Sequence, residues 1–260
     1  MATQTKQEYK IDSRPLVPTP QIFQLHYDEL GQEAVSLMNE RFQGNRCIEL
    51  DPSKLIKNQP INFCNIYRRY ALGIAVRDIT GWNTRPITPA ESEIALKQGT
   101  LPGNPRDYYE DLGFALYPSF ALYPKEEYNE ELKQHLLNQS KANGLEVKLP
   151  AIATLLTPVL DDNDDFAYGA RFDLGEFSEI YHAPVLAQQS GKFYKNDPGL
   201  IQRGVPDELG NGSRDLYIAY NGLRAFGRNS GLNLDANRGN LLGSYVVGRV
   251  NFLKFAEGDA

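Results

Sequence analysis

The sequence has few of the residues that build metal centres and crosslinks. Its 260 residues include 2 cysteines, 3 histidines and 1 tryptophan. Cys47 and Cys64 lie 17 positions apart, with no Cys-x-x-Cys pair and no adjacent histidine, which excludes the usual zinc and redox spacings. We expect both cysteines to be reduced and buried as small apolar side chains. A single disulfide between them is the alternative.

Long apolar segments are also missing. The longest covers residues 149–160 and contains Pro150 and Pro158, whereas a membrane-spanning helix needs about 20 residues. The first ten residues lack the apolar centre of a signal peptide. We therefore expect a soluble, cytoplasmic protein without a membrane partner.

Common enzyme signatures are absent as well. The sequence contains no Gly-x-Ser-x-Gly, no Walker A motif and no Gly-x-Gly-x-x-Gly that follows an apolar strand. Serine-nucleophile catalysis and the usual modes of ATP, NAD or FAD binding are therefore not expected. We expect no cofactor, with a divalent cation as the alternative.

Helical spacing dominates the first 144 residues. Apolar residues recur every three or four positions over 19–44, 61–79 and 124–144. Thr88-Pro89-Ala90-Glu91 is a capping box that predicts a short helix from there to Gly99. In the helix over 61–79, Arg68 and Arg69 are expected on the exposed side.

The second half alternates as strands do. Alternation predicts strands over 166–174 and 245–255, and Asn221-Gly222 predicts a hairpin between the apolar runs on either side of it. The chain is thus predicted to be α+β, with helices of the N-terminal half packed on a mainly antiparallel sheet from the C-terminal half. Residues 1–18 are predicted to form a flexible arm and 19–260 one domain, with a sub-boundary near 144 as the alternative.

Charge is unevenly distributed along the chain. The net charge is −6, but residues 212–254 carry six cations and two anions, a net +4, so the other residues carry −10. Arginines in this segment alternate with tyrosine, phenylalanine and glycine, a composition that can hold phosphates and stack bases. We predict an anionic ligand or RNA as partner, bound by Arg224, Arg228, Arg238 and Arg249. Arg228→Ala should then weaken binding without a folding defect; the alternative is a structural sheet with surface arginines.

Asp161, Asp162, Asn163, Asp164 and Asp165 form an acidic cluster. Oxygen ligands of this kind suit hard divalent cations, and Asp162, Asp164 and Asp165 are the candidate metal ligands. The EF-hand pattern fails, because Phe166 and Phe172 stand where glycine and glutamate are required. A solvated turn is the alternative interpretation.

Glu179 and His182 are the candidate catalytic residues. On a helix, two residues three positions apart share a face and can act together as a general acid and base. Combined with the acidic cluster, they suggest a metal-dependent hydrolase. The alternative is a hydrogen-bonded structural histidine near the end of a strand.

The leading hypothesis from the sequence is a non-enzymatic binding or assembly module. It follows from the missing catalytic motifs and the basic, aromatic C-terminal segment. The metal-dependent hydrolase is the alternative. A structural homo-oligomer is the third hypothesis, with contacts through Trp82 and through Phe-Ala-Leu-Tyr-Pro, which occurs at 114–118 and again at 120–124.

Overall fold

A computed structural model describes residues 21–118, 127–163, 165–219, 221–243 and 246–255. The helices of these residues are α1 (Glu29–Arg41), α2 (Ile66–Thr80), α3 (Pro89–Gln98), α4 (Glu127–Ala142) and α5 (Pro198–Arg203). The strands are β1 (Gln21–Gln24), β2 (Thr84–Pro86), β3 (Glu110–Leu116), β4 (Ala151–Thr154), β5 (Thr157–Leu160), β6 (Ala170–Asp173), β7 (Glu179–His182), β8 (Gly191–Phe193), β9 (Arg214–Ile218), β10 (Leu223–Arg228), β11 (Leu234–Arg238) and β12 (Asn251–Lys254).

The main sheet has seven strands in the order β7-β4-β3-β10-β11-β9-β8. Its neighbours are antiparallel except β11 and β9, which are parallel. A small sheet has the order β1-β12-β2, and β5 pairs with β6. The predicted α+β class is confirmed, because the helices lie mostly in the N-terminal half and the sheet mainly in the C-terminal half. One strand near the middle of the sheet, β3, comes from the first half.

The main sheet is covered on both faces. In β3, Phe114 and Leu116 belong to a buried cluster with residues of α1, α2 and α4, whereas Ala115 belongs to a second cluster with residues of α3 and α5. This division follows from the strand period of two, which sends successive side chains to opposite faces.

Helix boundaries follow local capping chemistry. The capping box is confirmed: the Thr88 amide donates to Glu91 Oε2 at 2.7 Å, and the Glu91 amide donates to Thr88 Oγ1 at 3.3 Å. The side chain of Asn65 accepts from the Arg68 amide at 2.9 Å and starts α2. The predicted helix over 61–79 corresponds to α2, and the described part of the predicted helix over 124–144 corresponds to α4.

The predicted helix start near residue 19 is wrong. Residues Gln21–Gln24 form β1, which pairs with β12 from the far end of the chain. Helix α1 begins at Glu29, where the Asp28 carboxylate accepts from the Gly31 amide at 3.1 Å. Gly31 is required there, because a Cβ atom would come within 1.9 Å of the His26 carbonyl oxygen.

The predicted hairpin at Asn221-Gly222 is also wrong. Strands β9 and β10 flank this turn but do not pair, because β11 lies between them. Gly222 adopts the left-handed conformation at φ 74°, as the turn requires. Each of these strands pairs with a segment that is distant in the sequence or separated from it by another strand.

Other boundaries and exposures differ from the predictions. The strand over 166–174 is reduced to β6, and the final strand to β12. Arg69 is 1% exposed rather than on the wet side of its helix, because its partner Glu110 is buried in β3. Residues 1–18 and the second copy of Phe-Ala-Leu-Tyr-Pro lie outside the described residues.

Both cysteines are free and buried, as predicted. Burial raises the pKa of the Cys64 thiol to about 12, so this thiol is protonated and unreactive at neutral pH.

Within the described ranges, no helix is both long and apolar enough to cross a bilayer.

Candidate anion-binding cleft

Arg228, one of the four arginines predicted to bind an anion, lies inside the protein. Its side chain is fully buried, and Nη2 donates to Glu110 Oε2 at 3.3 Å. Nη1 donates to the Pro105 carbonyl oxygen at 3.1 Å. Glu110 also accepts from Arg69 Nη1 at 2.8 Å, so one buried carboxylate faces two arginines.

Arg224 and Arg238 are held by internal contacts as well. Arg238 donates to the buried carboxylate of Asp111 and lies 3.9 Å above the centre of the Tyr109 ring. Arg224 donates to the Asn221 side chain at 2.9 Å. These guanidinium groups bind their own chain, and their assignment to a ligand stays a prediction.

Arg249 is half-buried, and its guanidinium lies 5.3 Å from the centre of the Tyr108 ring. The Arg228 guanidinium approaches the same ring at 5.2 Å.

Because Arg228 is buried and paired, Arg228→Ala should destabilise the fold, contrary to the sequence-based expectation that folding would be unaffected.

A cleft on the side of α3 collects cations from four separate segments. Lys97 comes from α3, Arg106 from the loop before β3, Lys195 from the turn after β8, and Arg214 from the start of β9. Among the described residues, Glu93 is the single acid in its lining, and the cleft has a volume of about 630 Å³. We call this feature the cationic cleft; its size is typical of small-molecule sites.

Arg214 and Glu93 form a bidentate pair at the base of the cationic cleft. Nη1 and Nη2 of Arg214 donate to the two carboxylate oxygens at 2.5 and 2.8 Å, and the side chains are 9% and 3% exposed. The guanidinium also lies 4.9 Å from the centre of the Phe193 ring. This fork-to-carboxylate geometry fixes α3 against β9.

The backbone at the opposite wall is strained. Leu232 has φ 65°, a conformation that is uncommon for residues other than glycine. Its carbonyl oxygen accepts from Arg214 Nε at 2.5 Å, and its amide donates to the Asn229 carbonyl oxygen at 2.9 Å. Strained residues of this kind concentrate at functional sites.

The other three cations of the cleft are exposed. Across the part of the chain that the structure describes, Lys97, Arg106 and Lys195 form no salt bridge. Their charge is therefore available to a ligand. No sequence signal points to these three residues, because they lie in separate segments with no common motif, and only Arg214 belongs to the basic segment.

The acidic cluster behaves as a turn where it is described. Asp161 Oδ2 accepts from the Phe166 amide at 2.7 Å, while Asp162 and Asp165 are exposed. Asp164 lies outside the described residues. No group of three or more His, Cys, Asp or Glu residues suited to a metal ion occurs among the residues described. The assignment of Asp162, Asp164 and Asp165 to a metal stays a prediction.

Glu179 and His182 lie on strand β7 instead of a helix. Residues three positions apart on a strand point to opposite faces, so the helical pairing considered for them does not form. His182 Nδ1 lies 2.9 Å from the Pro150 carbonyl oxygen and 3.0 Å from that of Lys148. These contacts match the structural-histidine alternative, and a catalytic role for either residue stays a prediction.

The histidine that contacts a carboxylate is His135 on α4. Its Nε2 lies 2.7 Å from Asp173 Oδ1, which also accepts from Gln139 Nε2 at 2.9 Å and from Arg171 Nε at 3.1 Å. Burial raises the pKa of the Asp173 carboxyl, but these hydrogen bonds outweigh it and hold the pKa below its ordinary value of 3.8. The cluster ties α4 to β6.

This lowered pKa predicts a stability contribution that depends on pH. A carboxyl whose pKa is lower in the folded state stabilises the protein above the unfolded-state pKa, and the contribution is lost as pH falls through the folded-state pKa. In urea titrations, the difference in unfolding free energy between wild type and Asp173→Asn should therefore shrink from pH 6 to pH 3. Asp162→Asn, at an exposed carboxylate, is the control. A difference that stays constant with pH would contradict this assignment.

The residues proposed for self-association are partly buried. Phe114, Ala115, Leu116 and Tyr117 of the first Phe-Ala-Leu-Tyr-Pro copy are at most 1% exposed. Trp82 is half-buried, with Lys254 Nζ 3.4 Å from its ring centre. Self-association through these residues stays a prediction.

No protein-family model, curated protein or solved structure matches the chain. The candidate function therefore depends on the geometry of the cationic cleft.

Proposed function

We propose that the protein is a non-enzymatic binding module for an anionic ligand, which binds in the cationic cleft. The observation that carries this proposal is the convergence of Lys97, Arg106 and Lys195, exposed and without salt bridges among the described residues, on one concave site. Three cations around a cleft create a positive potential that attracts an anion.

The charge balance supports the same proposal. The described lining holds four cations and one anion, a net +3, in a chain of net charge −6, so the other residues carry −9. The Arg214–Glu93 pair is neutral as a unit, and the attraction therefore comes from the other three cations. A ligand with about three negative charges would match them.

Removing two of these cations tests the proposal. In calorimetric titrations with inorganic diphosphate at low salt, Lys97→Gln combined with Lys195→Gln should raise Kd by about 10- to 30-fold, since each charge at ~4 Å is worth ~1 kcal/mol in water. Added salt should also weaken the binding of diphosphate to the wild-type protein, because it screens the charges.

The matched control is Lys57→Gln combined with Lys148→Gln. Both of these lysines are exposed and lie outside the cleft, and the change in net charge is the same. Its Kd should stay within about twofold of wild type, as expected for screened distant charges. If the two double variants bind diphosphate equally, the cationic cleft is not the anion site.

A further inference from the structure

We propose, on the basis of the anion-binding function above, that the ligand is a sugar or polyol that carries at least two phosphate groups. Three exposed cations from separate segments surround the cationic cleft. A ligand with two separated phosphates can contact more of them at once than a single compact anion can. The volume of about 630 Å³ is large enough for such a molecule.

Two uncharged polar side chains line the same cleft. Asn196 and Ser213 are exposed, and their side chains make no hydrogen bond to any described residue. An amide and a hydroxyl group both donate and accept, which is the chemistry that recognises hydroxyl groups. Between the cations, they would bind the hydroxyl-bearing part of the ligand.

The described residues that line the cleft offer no aromatic surface for stacking a nucleobase. Its described lining contains the aliphatic side chains of Leu96 and Leu232 but no aromatic ring. Proteins that bind single-stranded nucleic acids stack bases on aromatic side chains and follow the backbone along a positive groove. The charge of −9 outside the cleft would also repel an extended polyanion. A small phosphorylated sugar or polyol satisfies both constraints.

Hydrogen bonds within the protein connect the walls of the cationic cleft. Arg214 binds Glu93 of α3 on one side and the carbonyl oxygen of Leu232 on the other. The left-handed backbone at Leu232 is held by the hydrogen bonds of the 229–233 turn. A site that is built before the ligand arrives loses little entropy on binding.

The ligand class is tested with fructose 1,6-bisphosphate, fructose 6-phosphate, inorganic diphosphate and a single-stranded 20-nucleotide RNA as calorimetric probes. The bisphosphate should bind at least ~10-fold more tightly than the monophosphate and than diphosphate, because it engages both the cations and the polar side chains. Asn196→Ala combined with Ser213→Ala should raise the bisphosphate Kd by about 5- to 10-fold, the expected effect of losing two hydrogen bonds, and leave the diphosphate Kd unchanged.

The control is Ser36→Ala combined with Asn143→Ala, two exposed positions outside the cleft, which should not change either Kd. If diphosphate or RNA binds as tightly as the bisphosphate, and its binding depends on Lys97 and Lys195, the ligand class is wrong while the anion-binding function stands. If the Asn196/Ser213 variant binds the bisphosphate like wild type, the ligand class is also wrong. If none of the four probes binds, both proposals fail.

Discussion

Glu110→Ala is expected to lower the free energy of unfolding by about 3–5 kcal/mol, the usual effect of removing one partner of a buried ion pair. Glu110 and both of its arginine partners are at most 1% exposed. Its carboxylate accepts from Arg69 Nη1 and from the backbone amide of Asn251 at 3.0 Å. Without it, two guanidinium groups stay buried with no counter-charge.

The position of Glu110 explains why the effect should be large. Arg69 belongs to α2, Arg228 to β10 and Asn251 to β12, so one side chain links a helix, the main sheet and the small sheet. Water cannot replace the carboxylate without opening this junction. Removing the carboxylate therefore leaves two buried guanidinium charges unpaired at the place where three elements meet. The free energy of unfolding falls because these charges are buried without a partner.

Chemical denaturation of three variants measures this effect. Glu110→Gln keeps the shape and one of the two acceptor oxygens but removes the charge, and it should be less destabilising than alanine because it leaves no cavity. Asp78→Ala removes one partner of the Arg41–Asp78 pair, whose side chains are about 40% exposed, and it should cost at most ~1 kcal/mol. A loss of less than about 1 kcal/mol for Glu110→Ala would mean that the network contributes nothing measurable.

Elements that depend on neighbouring residues can be predicted from the sequence, whereas elements that depend on pairing with distant segments cannot. The capping box at Thr88 and the helices α2 and α4 depend on residues within a few positions of one another, and these predictions are confirmed. β1 instead exists because it pairs with β12, some 230 residues later. Similarly, Arg69 was expected to face water because nothing near it in the sequence indicates Glu110.

The candidate site shows the same limit. The aromatic and glycine-rich arginine segment suggests a binding face, but both faces of the main sheet are covered, and Arg228 of β10 is buried inside. Lys97, Arg106 and Lys195 are each unremarkable in the sequence, since an isolated surface cation is common. Only the fold brings their three segments together.

Glu93→Gln should move stability and affinity in opposite directions. The substitution leaves Arg214 buried with no carboxylate, so the free energy of unfolding should fall by about 3 kcal/mol. It also removes the single acid among the described residues that line the cationic cleft, and their net charge rises from +3 to +4. Diphosphate should then bind about fivefold more tightly, as expected for ~1 kcal/mol at a distance of ~4 Å in water.

Opposite changes in stability and in affinity for diphosphate distinguish a direct electrostatic effect from a general loss of folding. A variant that is only misfolded loses both stability and affinity. In parallel denaturation and calorimetric experiments, Glu93→Gln should instead lose stability and gain affinity for diphosphate. Asp78→Asn adds the same charge outside the cleft and should change the diphosphate Kd by less than about twofold.

Added ligand provides a second measurement of the same change. Since a ligand stabilises the folded state by RT ln(1 + [L]/Kd), a fixed excess of diphosphate should stabilise Glu93→Gln by about 1 kcal/mol more than wild type. If instead the affinity of Glu93→Gln falls along with its stability, the Arg214–Glu93 pair is needed to shape the cleft, and its charge is secondary. In that case the three exposed cations bind the anion only while α3 is held against β9.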